Sequence, residues 1–311
     1  MKEYILKRLM LAIPTILLVT FLAFVLVELV PSDPAEVALR VNGAVATEEA
    51  VELTRIELGL DKPLITRYID WLTASLHLDF GTSFVSKHPV LEEITQALPA
   101  TLQLAAATLL AIVVVSVPLG VICAVWKDSW FDKIVRVFIF IVTAMPNYWV
   151  GLLLIAFLAV QLDLFPTGGR GTIQHLILPT ITLSLTYIST YVRLIRNSML
   201  DNMKETYVLY ARAKGLVEKS IVFKHVLLNS LQSTITSFGM SVAKLIAGAF
   251  VVETIFSWPG IGMLCVSAIF NRDYPIIQAY ILMMAIIFVV FNLLVDIVNY
   301  ALDPRLRKEL N

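Results

Sequence analysis

Tyr207-Val-Leu-Tyr210-Ala211-Arg212-Ala213-Lys214-Gly215-Leu-Val-Glu218-Lys219-Ser-Ile-Val-Phe-Lys224-His225-Val-Leu-Leu-Asn229 is a polar stretch lying between two apolar runs, each long enough to cross a bilayer. Tyr207, Tyr210, Ala211 and Ala213 alternate with Arg212 and Lys214 in a pattern that predicts a short helix. Gly215 suits the position just past a helix end, where φ > 0 is required and only glycine adopts it without a Cβ penalty. Glu218 then suits the start of a second helix, where the backbone dipole favours negative charge. The stretch therefore predicts a helix–Gly–helix elbow carrying Arg212, Lys214, Lys219 and Lys224. On charge alone it reads equally as a positively charged cytoplasmic loop.

The rest of the chain supports that setting. Of 311 residues, 58% are hydrophobic and 15% charged, too apolar for a soluble domain. The apolar residues fall in runs matching the ~20 helical residues that cross a hydrocarbon layer of about 30 Å. Net charge is zero, so no overall bias toward nucleic acid exists. Cys123 and Cys265 lie far apart in apolar surroundings and read as buried thiols.

Residues 1–30 carry Lys2, Lys7 and Arg8 ahead of an apolar run from Leu9 to Val30. The run exceeds the ~7–15 apolar residues of a signal peptide core, so it reads as a retained first transmembrane helix with a cytoplasmic N-terminus. Residues 31–98 form one long polar segment with helical patterns over Thr47–Leu60 and Leu64–Leu76, and its acidic excess suggests an external helical subdomain. Residues 99–311 supply five further spans. The second runs from Pro99 to Trp126, with Pro118 and Gly120 expected to kink it. The third, Val135 to Val160, contains Met145-Pro146-Asn147-Tyr148-Trp149, either a structural kink or a polar feature facing a path. The fourth, His175 to Ile195, leads into the cytoplasmic loop 197–225. The fifth, Val226 to Thr254, contains Lys244, which costs ~2.5–3.5 kcal/mol at a helix centre on insertion scales. The sixth, Ile276 to Ala301, carries Asn292 and Asp296 and ends before Asp303-Pro-Arg-Leu-Arg307. Between residues 193 and 225 there are seven Lys or Arg against three Asp or Glu, an excess that marks the cytoplasmic side. Six transmembrane helices with both termini cytoplasmic follow.

Enzyme chemistry finds little support. There is no Gly-x4-Gly-Lys-Ser/Thr phosphate loop. His77, His88, His175 and His225 share no metal-ligand spacing, Met283-Met284 reads as packing, and no nucleophile–base pair stands out. No metal or other cofactor is expected on this chain.

Several motifs carry a resemblance. Tyr207-x3-Ala-Arg-Ala-Lys-Gly-Leu216 with Lys224-His-x3-Asn229 resembles the cytoplasmic loop of permeases in bacterial binding-protein-dependent ABC importers, most closely the peptide/nickel branch. Leu209-Tyr210-Ala211 stand where the general pattern has Glu-Ala-Ala, a departure typical of that branch. Gly59-Leu-Asp-Lys-Pro63, Tyr68-x2-Trp71, Leu78-Asp-Phe-Gly-x-Ser83, Arg193-x2-Arg-x-Ser-Met-Leu200, Glu253-x2-Phe-x2-Pro-Gly-x-Gly262 and Arg272-Asp-Tyr-Pro275 extend the match over essentially the whole chain. The resemblance implies an all-α type I permease fold in the bacterial inner membrane. Its implied partners are a second homologous permease, two ABC ATPase subunits that use ATP and Mg, and an extracytoplasmic substrate-binding protein. It also implies that Tyr207, Ala211, Arg212, Ala213, Lys214 and Gly215 couple to the ATPases, and that Pro146, Asn147, Glu253, Pro259, Gly260 and Asp273 serve the outer gate or pathway. The polar segment 31–98 is then either a solvated cap or part of the surface that docks the binding protein. Leu76-His-Leu-Asp-Phe-Gly81 and Phe270-Asn-Arg-Asp-Tyr-Pro275 resemble nickel or metal-chelate members most, with dipeptide or oligopeptide import as the alternative. An ion-coupled secondary transporter, for which only Lys244 and Asp296 offer membrane charges, is the reading from another class.

Overall fold

The computed structural model describes residues 2–29, 33–41, 43 and 45–302, and the side chains of these apart from 2–7, 9, 233 and 298–302. Pro31, Ser32 and the terminal Asp303-Pro-Arg-Leu-Arg307 lie outside the described residues. Among the described residues all regular structure is helical, and an isolated bridge between Thr82 and Pro89 is the sole β pairing. Contacts group the chain into two units, residues 1–101 with 259–293 and residues 102–258 with 294 onward.

In the first unit, α1 (Lys2–Glu28) is an apolar helix. It is followed by α2 (Pro34–Val41), α3 (Glu48–Glu57) and α4 (Leu64–Leu76). Thr47 caps α3 by accepting from the Ala50 amide, and Gly59 at φ 65° ends it, so the polar segment is helical where its pattern predicts. Tyr68 on α4 fixes α1. Its hydroxyl lies 2.9 Å from Thr20 Oγ1 and donates to the Leu17 carbonyl at 3.0 Å, while Phe21 and Phe24 meet its ring edge-on. Glu28 at the end of α1 pairs with Arg67 at 2.8 Å. The unit also holds the start of α5 (Val90–Val125), α12 (Ile261–Asn271) and most of α13 (Tyr274–Leu302).

The second helix differs from expectation at its start. It begins at Val90, and Pro99 sits inside it rather than in its first turn. Val90 and Ile94 are buried against Ala268, Ile276 and Ala279, and this packing holds the extra turns although the proline removes a backbone donor. No break occurs at Pro118-Leu-Gly120 either. Gly120 instead permits close approach: a Cβ there would sit 2.8 Å from the Ile195 side chain on α8 (Ile173–Asn202).

In the second unit the third expected span is broken, not merely kinked. Helix α6 (Trp130–Ala144) and α7 (Asn147–Leu154), extended by a π-helical turn Ile155–Gln161, meet at 105°. Met145 is extended at ψ 136°, the region into which the following proline ring drives a residue, and Pro146 is the N-cap of α7.

Helix α8 packs against α6, α7 and α11 (Leu227–Ile255) and buries residues along its whole length. Among the described residues four helices qualify as membrane spans by length and apolarity, Met10–Glu28, Val90–Val125, Thr234–Ile255 and Tyr274–Ile297, with the bent α6–α7 pair as a fifth if it counts as one span. The fourth expected span, α8, is about 45 Å long at 1.5 Å per residue but too polar to qualify by composition. Its hydroxyls are turned inward onto its own backbone: Thr182, Ser189 and Thr190 donate to the carbonyls four residues earlier. A helix enclosed by protein does not need the apolar exterior that lipid demands.

The polar elbow as candidate functional site

Residues 206–226 form the predicted elbow. Helix α9 (Thr206–Ala213) ends in a paired-hydrogen-bond motif: the Leu216 amide donates to the Ala211 carbonyl at 3.2 Å, and the Gly215 amide to the Arg212 carbonyl at 2.9 Å. Gly215 at φ 76° is the left-handed residue this motif requires. No heavy atom lies within 4 Å of where its Cβ would stand, so the need for glycine is conformational rather than steric. A short helix α10 (Glu218–Ser220) and a π-helical turn Ile221–Val226 lead into α11.

Opposite faces of the elbow have opposite chemistry. Val208 and Ala211 are buried with Val121 and Ala124 of α5, Ile195 and Met199 of α8, and Ile221, Val222 and Val226 of the π turn. Tyr207 partly joins this core and donates from its hydroxyl to Asn202 Oδ1 at 3.0 Å. Outward stand Leu209, Tyr210, Leu216, Val217 and Phe223, with Arg212, Lys214, Lys219 and Lys224 among them. Two contacts stiffen this face. Arg212 grips Glu218 with two hydrogen bonds of 3.1 and 2.6 Å across the glycine, and the Lys214 ammonium sits 4.7 Å from the Tyr210 ring centre. The hydrogen bond from Arg212 holds the Glu218 carboxyl below the usual carboxylate range. Ala213 is exposed beside them.

A feature that sequence reasoning missed lies next to the elbow. Asp132, in the first turn of α6 and fully buried, receives both Arg196 donors at 2.7 and 2.8 Å, and the Asp128 amide at 3.0 Å. Ser129 caps the same turn by accepting from the Asp132 amide. The pair ties the start of α6 to the end of α8 that carries the elbow. Its sequence trace was the Arg193-x2-Arg196 spacing and an acidic residue in a basic turn, 64 positions apart.

The residues expected at a gate or pathway divide between the two units, Pro146, Asn147 and Glu253 in the second and Pro259, Gly260 and Asp273 in the first. Asn147 accepts a hydrogen bond from Thr186, so its amide faces protein as a membrane polar group should. Glu253 is fully buried near the end of α11, and its carbonyl accepts from the Trp258 amide at 2.8 Å. Pro259 and Gly260 lead into α12, whose first amide, Ile261, donates to Thr101 Oγ1 at 2.9 Å. The left-handed residue here is Ser257 at φ 48°, whereas Gly260 is at −98° and Gly262 is buried inside α12. Asp273 acts as a clasp, accepting from the Ser83 hydroxyl and the Phe84 and Val85 amides. Beside the end of α11, the Gly169 amide donates to the Phe256 carbonyl at 2.8 Å, and Arg170 bonds Gln103 at 3.0 Å. Lys244 is exposed on α11.

Comparison with known proteins places this arrangement. Residues 116–308 match the family model described as "Binding-protein-dependent transport system inner membrane component", and residues 1–105 match its N-terminal companion. The chain is 38% identical over 309 residues to the metal-staphylopine import system permease protein CntB of Staphylococcus aureus, covering 99% of both chains. It is also 38% identical to the glutathione transport system permease protein GsiC of Salmonella choleraesuis and 39% identical to that of Pectobacterium atrosepticum, each over 307 residues and 99% of both chains. Among solved structures, a chain of the inward-facing MetNI methionine ABC transporter superposes with a TM-score of 0.58 at 16% identity, covering 68% of this chain and 96% of that one; at that identity it supports the fold alone. The chain belongs to the binding-protein-dependent transport system inner membrane components, the permease subunits of ABC importers.

Proposed function

We propose that this permease imports a metal held in a chelator, nickel being the first candidate, and that the elbow is where ATP hydrolysis by partner subunits reaches the membrane helices. The observation that carries the coupling assignment is the two-faced elbow. One side is locked by buried aliphatics onto α5 and α8, and the other offers apolar and cationic side chains with no covering element among the described residues. Closure of two ATPase subunits around such a knob would move α5, α8 and α11 together, the alternating-access scheme in which one end of the bundle opens as the other shuts. The excess of Lys and Arg between residues 193 and 225 supports a cytoplasmic elbow, and with it cytoplasmic termini and an external position for residues 31–98. The remaining partners are a second permease and an extracytoplasmic binding protein that delivers cargo.

A metal–chelator cargo takes its support from the metal-staphylopine relative. A peptide-like cargo is the second reading, and the glutathione permeases favour it at the same level of identity. Cellular metal content and labelled-dipeptide uptake, measured in wild type and in Gly215→Glu, separate the two. A fall in nickel or related metals alone supports the first, and a fall in dipeptide alone the second. Normal uptake of every cargo by Gly215→Glu, at wild-type abundance, would sink the coupling assignment.

A further inference from the structure

Between α6 and α8, beside the elbow but not part of it, lies a cavity of about 510 Å³ lined within the second unit. The Asp132–Arg196 pair closes one end and fixes the register of the two helices. Arg136 stands one turn further along α6 and Arg193 one turn back along α8, and both line the cavity. Beyond them the lining turns apolar: Ile139, Phe140 and Thr143 continue along α6 for about 10 Å, facing Val192.

Charge at the basic end is incompletely answered. Arg196 is committed to Asp132, and Arg136 makes only longer contacts of 3.4 and 3.6 Å to Asp132 and Asp128 while half exposed. Arg193 is exposed and has no carboxylate within ion-pair distance among the described residues. Trp126 and Trp130, 59% and 79% exposed, flank the α5–α6 turn beside Lys127 and Lys133. Exposed tryptophans next to lysines mark the depth of a membrane–water interface. Arg136, only loosely paired, and Arg193 therefore sit at headgroup level, and the apolar part of the cavity, opening past a 75% exposed Phe140, points into the acyl region.

We propose that this cavity binds an anionic phospholipid, its phosphate between Arg136 and Arg193 and an acyl chain along Ile139, Phe140 and Val192. Basic pockets between membrane helices suit such headgroups. The inference rests on the chain spanning a membrane and is independent of the cargo it moves.

The test uses the assembled transporter in nanodiscs of phosphatidylcholine with or without phosphatidylglycerol, read by native mass spectrometry for retained lipid and by thermal unfolding. Wild type should retain phosphatidylglycerol and unfold at higher temperature when it is present. Arg136→Gln/Arg193→Gln should bind it about 30-fold more weakly, the equivalent of about 1 kcal/mol for each of two basic groups. Phe140→Gln, at an exposed position that carries no core packing, should also weaken retention and guards against a folding defect in the double variant. Three results would overturn the proposal: retention unchanged in both variants, the same thermal shift from inorganic phosphate alone, or a cysteine at Phe140 that cross-links to the second permease in place of meeting lipid.

Discussion

Gly215 offers the sharpest perturbation because its surroundings leave one variable. With no atom within 4 Å of an added Cβ, substitution there creates no clash, and the whole cost is that of holding an L-residue at φ 76°. That cost is about 1–2 kcal/mol for alanine and smaller for asparagine, whose side chain tolerates the left-handed region. A penalty of this size lowers the ratio of formed to unformed elbow by a factor of about 5–30, which is the upper bound on the fall in its population. Affinity for a partner that recognises the formed elbow falls by the same factor. Gly215→Ala should therefore cut co-purification of the ATPase subunits and coupled uptake by up to about 5–30-fold, with Gly215→Asn between it and wild type and the amount of permease in the membrane unchanged. Gly215→Glu should fall lower still, since it adds a second acidic group beside Glu218 on a face whose other charges are basic. The ordering is the diagnostic. If asparagine were as damaging as alanine, or alanine as good as glycine, the elbow's shape would not depend on the left-handed turn and the reasoning would fail.

Four further outcomes follow from the contacts. Asp132→Ala should lower stability by about 3–5 kcal/mol, because Arg196 is left partly buried without its partner, whereas a double replacement by leucine and methionine should recover most of the loss; folded protein surviving detergent and heat measures both. Tyr68→Phe should cost about 1–2 kcal/mol through the hydroxyl shared by Thr20 and the Leu17 carbonyl, seen as a lower unfolding temperature with uptake otherwise intact. Ser257→Gly should gain about 0.5–1 kcal/mol, since relief of a left-handed residue outweighs the entropy of an added glycine. For Glu218, whose carboxyl is held below its ordinary value of 4.5, the stabilising pair is fully present above that pH and is lost as pH falls through the lowered value. Elbow integrity, followed by limited proteolysis at Arg212 and Lys219, should thus be flat from pH 8 to 5 and decline only below about 4.5.

Local physics made part of this structure legible from residues alone. Gly215 could be placed because a single residue type meets its backbone demand cheaply, and the helix from Leu64 to Leu76 because Pro63 and a clear amphipathic period bound it. Where tertiary contacts overrule the local rule, the residues were silent or misleading. Pro99 suggests a helix start, yet the packing of Val90 and Ile94 begins the helix nine residues sooner. Asp132 reads as one more charge in a solvated turn, and its burial depends on an arginine 64 residues away. Ser257 lies beside Pro259-Gly-Ile-Gly262, and a serine at positive φ leaves no compositional mark.

The comparison of Ser257 with Gly215 explains where this chain is stiff and where its shape is conditional. Both end a helix by the same pair of backbone hydrogen bonds, Ser257 and Trp258 donating to Thr254 and Glu253 as Gly215 and Leu216 donate to Arg212 and Ala211. At Gly215 the left-handed residue costs almost nothing, so no packing is needed there to offset the backbone angle. At Ser257 it costs about 1–2 kcal/mol, offset by Phe256 and Trp258, whose near-complete burial is worth about 1.5–3 kcal/mol apiece. The second turn therefore leans on the packing of those two aromatic side chains, whereas the first has no such backbone cost to offset. A motion that loosens the aromatic packing at the end of α11 would therefore leave the strained angle at Ser257 without its offset, whereas Gly215 carries no such strain to release.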